Sequence, residues 1–247
     1  DHVYWFPDRE PPGNWIVMDC IEFSDRFRYA DPVADIAFLA MDLRFHGRPD
    51  LAKALTDAYF AAAGDDEGRE LLAYYVGYRA VVRAKVEGIE QQESEISRHR
   101  RAVSAEQARA HWLLALGALE APTRRPCLVV IAGLPGAGKS TLARSLASSA
   151  NLHLLRSDVI RKELAADRPG ENLYTPEWTE RVYEDMLARA DGLLLQGGRA
   201  LVDANFRDDA WRMRFLDQAR RRAVPFVFVH CQVAPAVARQ RLCARRD

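Results

Sequence analysis

Cysteine is scarce in this chain of 247 residues: Cys20, Cys127, Cys231 and Cys243 lie far apart and show no C-x-x-C spacing. That pattern excludes a zinc site of the usual kind and a disulfide framework, and a reducing, cytoplasmic setting is the expectation. No apolar run approaches the ~18 residues needed to span a bilayer, and no signal peptide opens the sequence, so no membrane association is expected. Lysine is rare too, at positions 53, 85, 139 and 162 only, so nearly all the positive charge is arginine. Internal repeats and low-complexity tracts are absent. With 49% hydrophobic and 28% charged residues, the composition excludes disorder, collagen and coiled coil.

Net charge is absent as well, but the balance hides an asymmetry. Residues 1–121 hold 14 Lys+Arg against 21 Asp+Glu (−7), and residues 122–247 hold 21 against 14 (+7). Only the second part suits an anionic ligand electrostatically. The sequence begins at Asp1 within a strand-like run and ends at Asp247 inside a helical pattern, and it reads as a piece of a longer protein.

The pattern divides the chain at a proline-bracketed linker, residues 122–126. Before it, residues 3–6 and 15–21 read as two strands around a turn rich in proline and glycine. Helical spacing then prevails: Ile36, Leu39, Ala40 and Leu43; Leu51, Leu55, Ala58 and Tyr59; a stretch from about Glu70 to Gln91; and another from about Ala105 to Leu119, after a polar section reaching about Arg101. After the linker, strands at 127–132, 152–156, 200–204 and 225–230 alternate with helices to about 150, at about 158–166, 176–196 and 209–222, and from about 234. That alternation predicts an α/β fold with a parallel sheet covered by helices on both faces.

Gly133-Leu134-Pro135-Gly136-Ala137-Gly138-Lys139-Ser140, followed by Thr141, fits G-x-x-x-x-G-K-[ST] between a buried strand and a helix. Glycines let consecutive N–H groups curl round phosphate oxygens, and the helix N-terminus adds partial positive charge. Lys139 is the residue to reach the β- and γ-phosphates of ATP, and Ser140 the hydroxyl to ligate Mg²⁺. Asp158 follows a strand end. It is either a general base for an attacking hydroxyl or the N-cap of a helix beginning at Val159. Arg161, one turn on, is a candidate to hold an anionic substrate group or to orient that carboxylate. Asp203 ends another apolar strand in a Walker-B-like position suited to Mg²⁺, and Asn205 and Arg207 follow it. Arg241 and Arg245 share a face of the last helix, which by its resemblance to the corresponding helix of small P-loop kinases implies a lid that supplies arginine to the transferring phosphoryl group.

From about Leu128 onward the sequence resembles the P-loop kinases that include polynucleotide-kinase-like, zeta-toxin-like and gluconate-kinase-like AAA-family proteins. The resemblance rests on G-L-P-G-A-G-K-S, R-S-D-V-I-R-K and V-D-A-N-F. It implies phosphoryl transfer from ATP to a hydroxyl, with Asp158 as the matching base; the acceptor expected is a small molecule or a polynucleotide, and no obligate protein partner is evident in the sequence. A nucleotide-binding regulatory module and a simple ATPase are the alternatives.

The first part resembles the helical lobe of aminoglycoside-phosphotransferase-like kinases, from His2-Val3-Tyr4 through Ile16-Val17-Met18-Asp19-Cys20-Ile21-Glu22-Phe23. By that resemblance residues 1–121 are a partial, mostly α-helical kinase-like lobe with a β-hairpin. Asp19 stands at the Mg²⁺ position, and Asp35 is a structural carboxylate bonding backbone. The basic residues of 78–85 are ion-paired structure. His2 replaces the family's Asn, and the family's catalytic Asp falls before residue 1. The two parts in this order resemble a bifunctional fusion of such a lobe with a P-loop ATP-binding domain.

Overall fold

The computed structural model describes residues 3–18, 25, 29–166, 168 and 170–244. Strands β1 (Val3–Trp5) and β2 (Trp15–Val17) form an antiparallel hairpin, with the Trp5 and Trp15 rings 6.3 Å apart. Further along come α1 (Pro32–Phe45), α2 (Pro49–Ala63), α3 (Asp66–Glu90) and α4 (Arg98–Leu119). The fourth starts earlier than apolar spacing alone indicates. Ser97 caps it, its hydroxyl accepting the Arg100 N–H at 3.2 Å, so the polar stretch before Ala105 becomes an exposed first turn.

Asp31, just before Pro32, caps α1 by accepting the Val33 N–H at 2.9 Å, and it also accepts from the Tyr75 hydroxyl at 3.1 Å. Among the described residues it is Asp31, at the cap, that bonds backbone here. Asp35 lies in the exposed first turn and faces the Arg79 guanidinium at 3.5 Å. Arg79 also donates to the Ala34 carbonyl at 3.0 Å, which makes it the structural cation expected of this stretch.

The second part alternates strictly. Its elements are β3 (Cys127–Ala132), α5 (Lys139–Ser149), β4 (His153–Arg156), α6 (Ser157–Leu164), α7 (Pro176–Leu195), β5 (Arg199–Asp203), α8 (Asp209–Arg221), β6 (Phe226–His230) and α9 (Pro235–Cys243). The strands form a four-stranded parallel sheet in the order β4-β5-β3-β6. Alternation along β3 explains why its run is continuously apolar. Leu128, Val130 and Ala132 pack with Val182, Met186 and Phe215 of α7 and α8, while Val129 and Ile131 pack with Ala143 of α5. Both faces of the sheet are thus covered by helices, in an α/β fold.

The chain leaves β3 and returns on one side as β4 and β5, and on the other as β6. Such a reversal opens a crevice beyond the carboxyl ends of the strands. Helix α4 joins the two parts. Leu113 enters the core of the α/β part, its neighbours Leu114 and Ala115 enter the helical core, and Ala223 beyond α8 packs against that helical core in return. Arg222, 7% exposed, bonds Asp191 of α7 at 2.6 and 2.8 Å and also donates to Glu106 of α4. A groove of about 590 Å³ lined by Val81, Trp112, Leu116 and Leu195 opens at this junction and includes no residue of the P-loop. No helix among the described residues is long and apolar enough to cross a membrane.

Candidate active site

The loop after β3 has a backbone that only glycine tolerates. Gly133, Gly136 and Gly138 have φ of 143°, 81° and 89°. A Cβ on Gly133 would stand 2.4 Å from the Cys231 carbonyl oxygen, and one on Gly136 would stand 2.8 Å from that of Ala238. Between them Leu134 and Pro135 are exposed at the loop's crest, and Ala137 closes a turn by donating its N–H to the Leu134 carbonyl at 3.1 Å. Lys139 opens α5, and its Nζ donates to the Leu134 carbonyl at 3.0 Å across the loop. Ser140 is half-buried in the first turn beside Thr141. The N-terminal amides of α5 meet the loop here, an arrangement suited to phosphate oxygens.

Asp203, 5% exposed, ends β5 in register with Ile131 of β3 and Arg156 of β4. Two hydrogen bonds knit this end of the sheet: Ala204 N–H to Ile131 O at 3.2 Å and Gly133 N–H to Asn205 O at 3.3 Å. Burial pushes the Cys231 thiol up, the Lys139 charge opposes this and the Asp203 charge adds to it, so both charged groups bear on one point beside the loop. The residues fit a magnesium nucleotide. The glycines leave a cradle that Cβ atoms would fill, and the donors are a hydroxyl and a carboxylate, the hard oxygen ligands Mg²⁺ takes. Ser140 and Asp203 are the residues that could hold the ion. Among the described residues there is no cluster of three or more His, Cys, Asp or Glu side chains able to hold a metal by itself.

Asp158 lies in the first turn of α6, its side chain 58% exposed, and accepts from Arg156 Nη2 at 2.7 Å. The helix begins at Ser157, so Arg156 rather than Asp158 takes the cap position, and the capping alternative does not hold. Arg161 does not orient Asp158. Its Nη1 donates to the Leu173 carbonyl, and its guanidinium lies 5.3 Å from the Tyr174 ring. At the other edge of the loop, Arg241 Nη1 donates to the Gly136 carbonyl at 3.4 Å. The structure thus gathers Gly133–Thr141, Asp203 and Arg241 round the loop, and sets Asp158 and Arg161 on the neighbouring strand end. Asp19 and Arg245 lie outside the described residues.

Three further residues shape the site: Arg156, which opens the R-S-D-V-I-R-K stretch, and Tyr183 and Arg212, which nothing in the local sequence marks. Arg156 engages Asp158. Tyr183 of α7 accepts the Phe206 N–H at 2.9 Å, and Arg212 of α8 donates to the Phe206 carbonyl at 2.8 Å. Phe206 is a buried, non-glycine residue at φ 47°, and these bonds offset the strain of that conformation.

Residues 128–247 match a family model described as an AAA domain. An uncharacterized protein of Mycobacterium tuberculosis is 34% identical over 241 residues, which is 94% of this chain and 47% of that protein. An uncharacterized protein of Mycobacterium bovis matches with the same figures. The chain therefore spans about half the length of the curated relatives it matches, and both of its parts are shared with them. Among solved structures, a sugar kinase from Janibacter is similar over 49% of this chain and 68% of its own, at 20% identity and a TM-score of 0.38. A chain of the Pnkp1/Rnl/Hen1 complex is similar over 49% of this chain and 40% of its own, at 21% identity and a TM-score of 0.38.

Proposed function

We propose that this chain binds Mg·ATP on Gly133–Thr141 and transfers the γ-phosphoryl group to a hydroxyl acceptor, a small molecule or a polynucleotide. One observation carries the reading: the glycine-backbone loop, the Lys139 ammonium and the buried Asp203 carboxylate converge at the carboxyl end of β3 and β5. Phosphoryl transfer needs little covalent help from a protein and much positioning and charge neutralisation, and that is what these groups supply.

Lys139 would leave the Leu134 carbonyl for phosphate oxygen. Ser140 and Asp203 would hold Mg²⁺, which would supply neutralisation of the phosphate charge. Asp158 would take the acceptor's proton. Its exposure leaves it accessible to an incoming hydroxyl, and the single bond from Arg156 leaves further acceptor capacity on the carboxylate. Arg241, which donates to the Gly136 carbonyl at the loop edge, would move onto the phosphoryl group. We place this activity in the cytoplasm, where the free thiols of Cys127, Cys231 and Cys243 would persist. The kinase-like lobe assigned to residues 1–121 and its Mg²⁺ ligand Asp19 belong to the same proposal for the longer protein.

The experiment is ADP release from Mg·ATP with aminoglycosides, sugars, nucleosides and 5′-hydroxyl oligonucleotides in turn. Acceptor-stimulated turnover that Lys139→Ala and Asp158→Asn both abolish supports the kinase. ATP binding with no stimulated turnover, unaltered by Asp158→Asn, would turn the reading to a regulatory nucleotide-binding module.

A further inference from the structure

The apolar groove between the two parts has a volume of about 590 Å³, within the range of small-molecule sites, which favour the meeting of two folding units. Helix α4 supplies Trp112, Leu116 and Leu119 to it, α3 supplies Val81, and the last turn of α7 supplies Leu195. Trp112, Leu119 and Leu195 are exposed here, three large apolar side chains on one concave surface. Gly197, at φ 74°, brings the walls close together, since a Cβ there would stand 2.8 Å from the Leu116 side chain.

The groove does not stay apolar. It runs into a polar pocket of about 300 Å³, with which it shares Leu116, Glu120, Gln196 and Gly197, and Arg124 and Arg199 line that far end. Glu120 is the one acid lining either stretch among the described residues, and Arg124 already pairs with it at 3.3 Å. Arg199 donates from Nη1 to the Thr123 carbonyl, and its Nε is buried with no partner. No carboxylate pairs with Arg199 among the described residues, so this end carries an uncompensated positive charge. Arg125 adds to it, donating from Nε to the Glu120 carbonyl at 3.0 Å. The place is remote from the P-loop. Glu120 and Arg124 precede β3, and Gln196 and Gly197 precede β5, so the groove lies at the amino ends of strands whose carboxyl ends carry the phosphate site. The five residues of β5 set Arg199 roughly 13 Å from Asp203.

An apolar wall that ends on an unpaired guanidinium is the complement of an amphipathic anion: the body leaves water, and the head gains a charge-assisted bond. We propose that this groove binds a small molecule with an apolar body and one anionic head, the body against Trp112 and Leu195 and the head on Arg199. Aromatic acids and medium-chain fatty acids share that chemistry. The occupant touches α4 on one side and α7 and the start of β5 on the other, so it binds only the folded junction and stabilises it. The inference stands apart from the kinase reading.

The test is calorimetry on the full chain with 1-naphthaleneacetate and its neutral amide, and with decanoate and decanol. At least one of the acids should bind, one molecule per chain, about tenfold or more tighter than its neutral counterpart, and should raise the thermal midpoint. Which of the two acids binds identifies the body the groove prefers. Arg199→Gln should weaken the acid by about tenfold to a hundredfold, the scale of a lost bond to a charged group, and leave the neutral counterpart unchanged. Arg199→Lys, which keeps the charge, should restore most of the preference for the acid. Trp112→Ala should weaken both members about tenfold through lost apolar contact. Melting curves of the unliganded variants separate loss of fold. Failure of both acids to bind, equal binding of acid and neutral member, or binding that Arg199→Gln and Trp112→Ala leave unmoved would overturn the proposal. So would sedimentation showing a dimer that Trp112→Ala disperses, which would give the groove to a second copy of the chain.

Discussion

Lys139 Nζ and the Leu134 carbonyl oxygen are 3.0 Å apart, so the P-loop lysine bonds its own loop. The bond satisfies a buried ammonium and holds the loop arched before any phosphate arrives. Exchanging that carbonyl for phosphate oxygens keeps the lysine satisfied throughout, which is the economy of a preorganised site.

Lys139→Ala removes both the arch and the charge on the phosphates. Acceptor-stimulated turnover should fall by about 10²- to 10³-fold, the scale of losing one group aimed at transition-state charge. Steady-state ADP release measures this, and retained turnover would show that the nucleotide sits elsewhere.

Gly136→Ala probes the loop backbone and the final helix together. The new Cβ would require φ near 81° and stand 2.8 Å from the Ala238 carbonyl oxygen. Strain of about 1–2 kcal/mol plus the clash should displace α9 or the loop. ATP affinity measured by calorimetry should weaken about tenfold or more, whereas an unchanged affinity would mean that the loop does not hold the phosphates in this shape.

The Arg222 junction makes stability depend on acid. Burial raises the Asp191 carboxyl, but bonds and charge from Arg222 outweigh this and hold it below its ordinary 3.8. A depressed carboxylate contributes stability that is present above 3.8 and lost as pH falls through the folded value. Asp191→Asn should cost about 3 kcal/mol at neutral pH, because it leaves a buried guanidinium short of its partner. The gap between wild type and variant in thermal melting should narrow between about pH 5 and about pH 3. A gap constant across that range would show that the pair does not carry the coupling between α4, α7 and α8.

Much of this was legible in the residues. The apolar run Cys127–Ala132 is a strand over its whole predicted span, because a strand buried on both faces has no polar alternation to blur its ends. The eight-residue loop motif announces itself because each glycine answers a backbone need that no other residue meets. The predicted start of α4 moved for a local reason. Ser97 is a short polar cap, which apolar periodicity does not register. The Tyr183–Phe206–Arg212 clamp was invisible for a different reason: its members come from α7, the turn after β5 and α8, and only the sheet's packing brings them together. Tyr174 shows the converse. It stands four residues before the buried Trp178, a helical spacing, yet it precedes α7 and is 83% exposed beside Arg161.

Asp158→Asn separates binding from chemistry. The side chain keeps its place on α6 and can still accept from Arg156, but it no longer takes a proton. Acceptor-stimulated kcat should drop by about 10²- to 10⁴-fold, the range of a lost general base, while the ATP analogue still binds in calorimetry. A variant with undiminished kcat would remove Asp158 from the reaction.

The most direct measurement is the stoichiometry of the reaction with γ-labelled ATP and the best acceptor. The account predicts that ADP and labelled, phosphorylated acceptor form in equal amounts, and that free inorganic phosphate stays at the level of the acceptor-free control. ADP matched by inorganic phosphate, with no label on the acceptor, would contradict it and leave an ATPase.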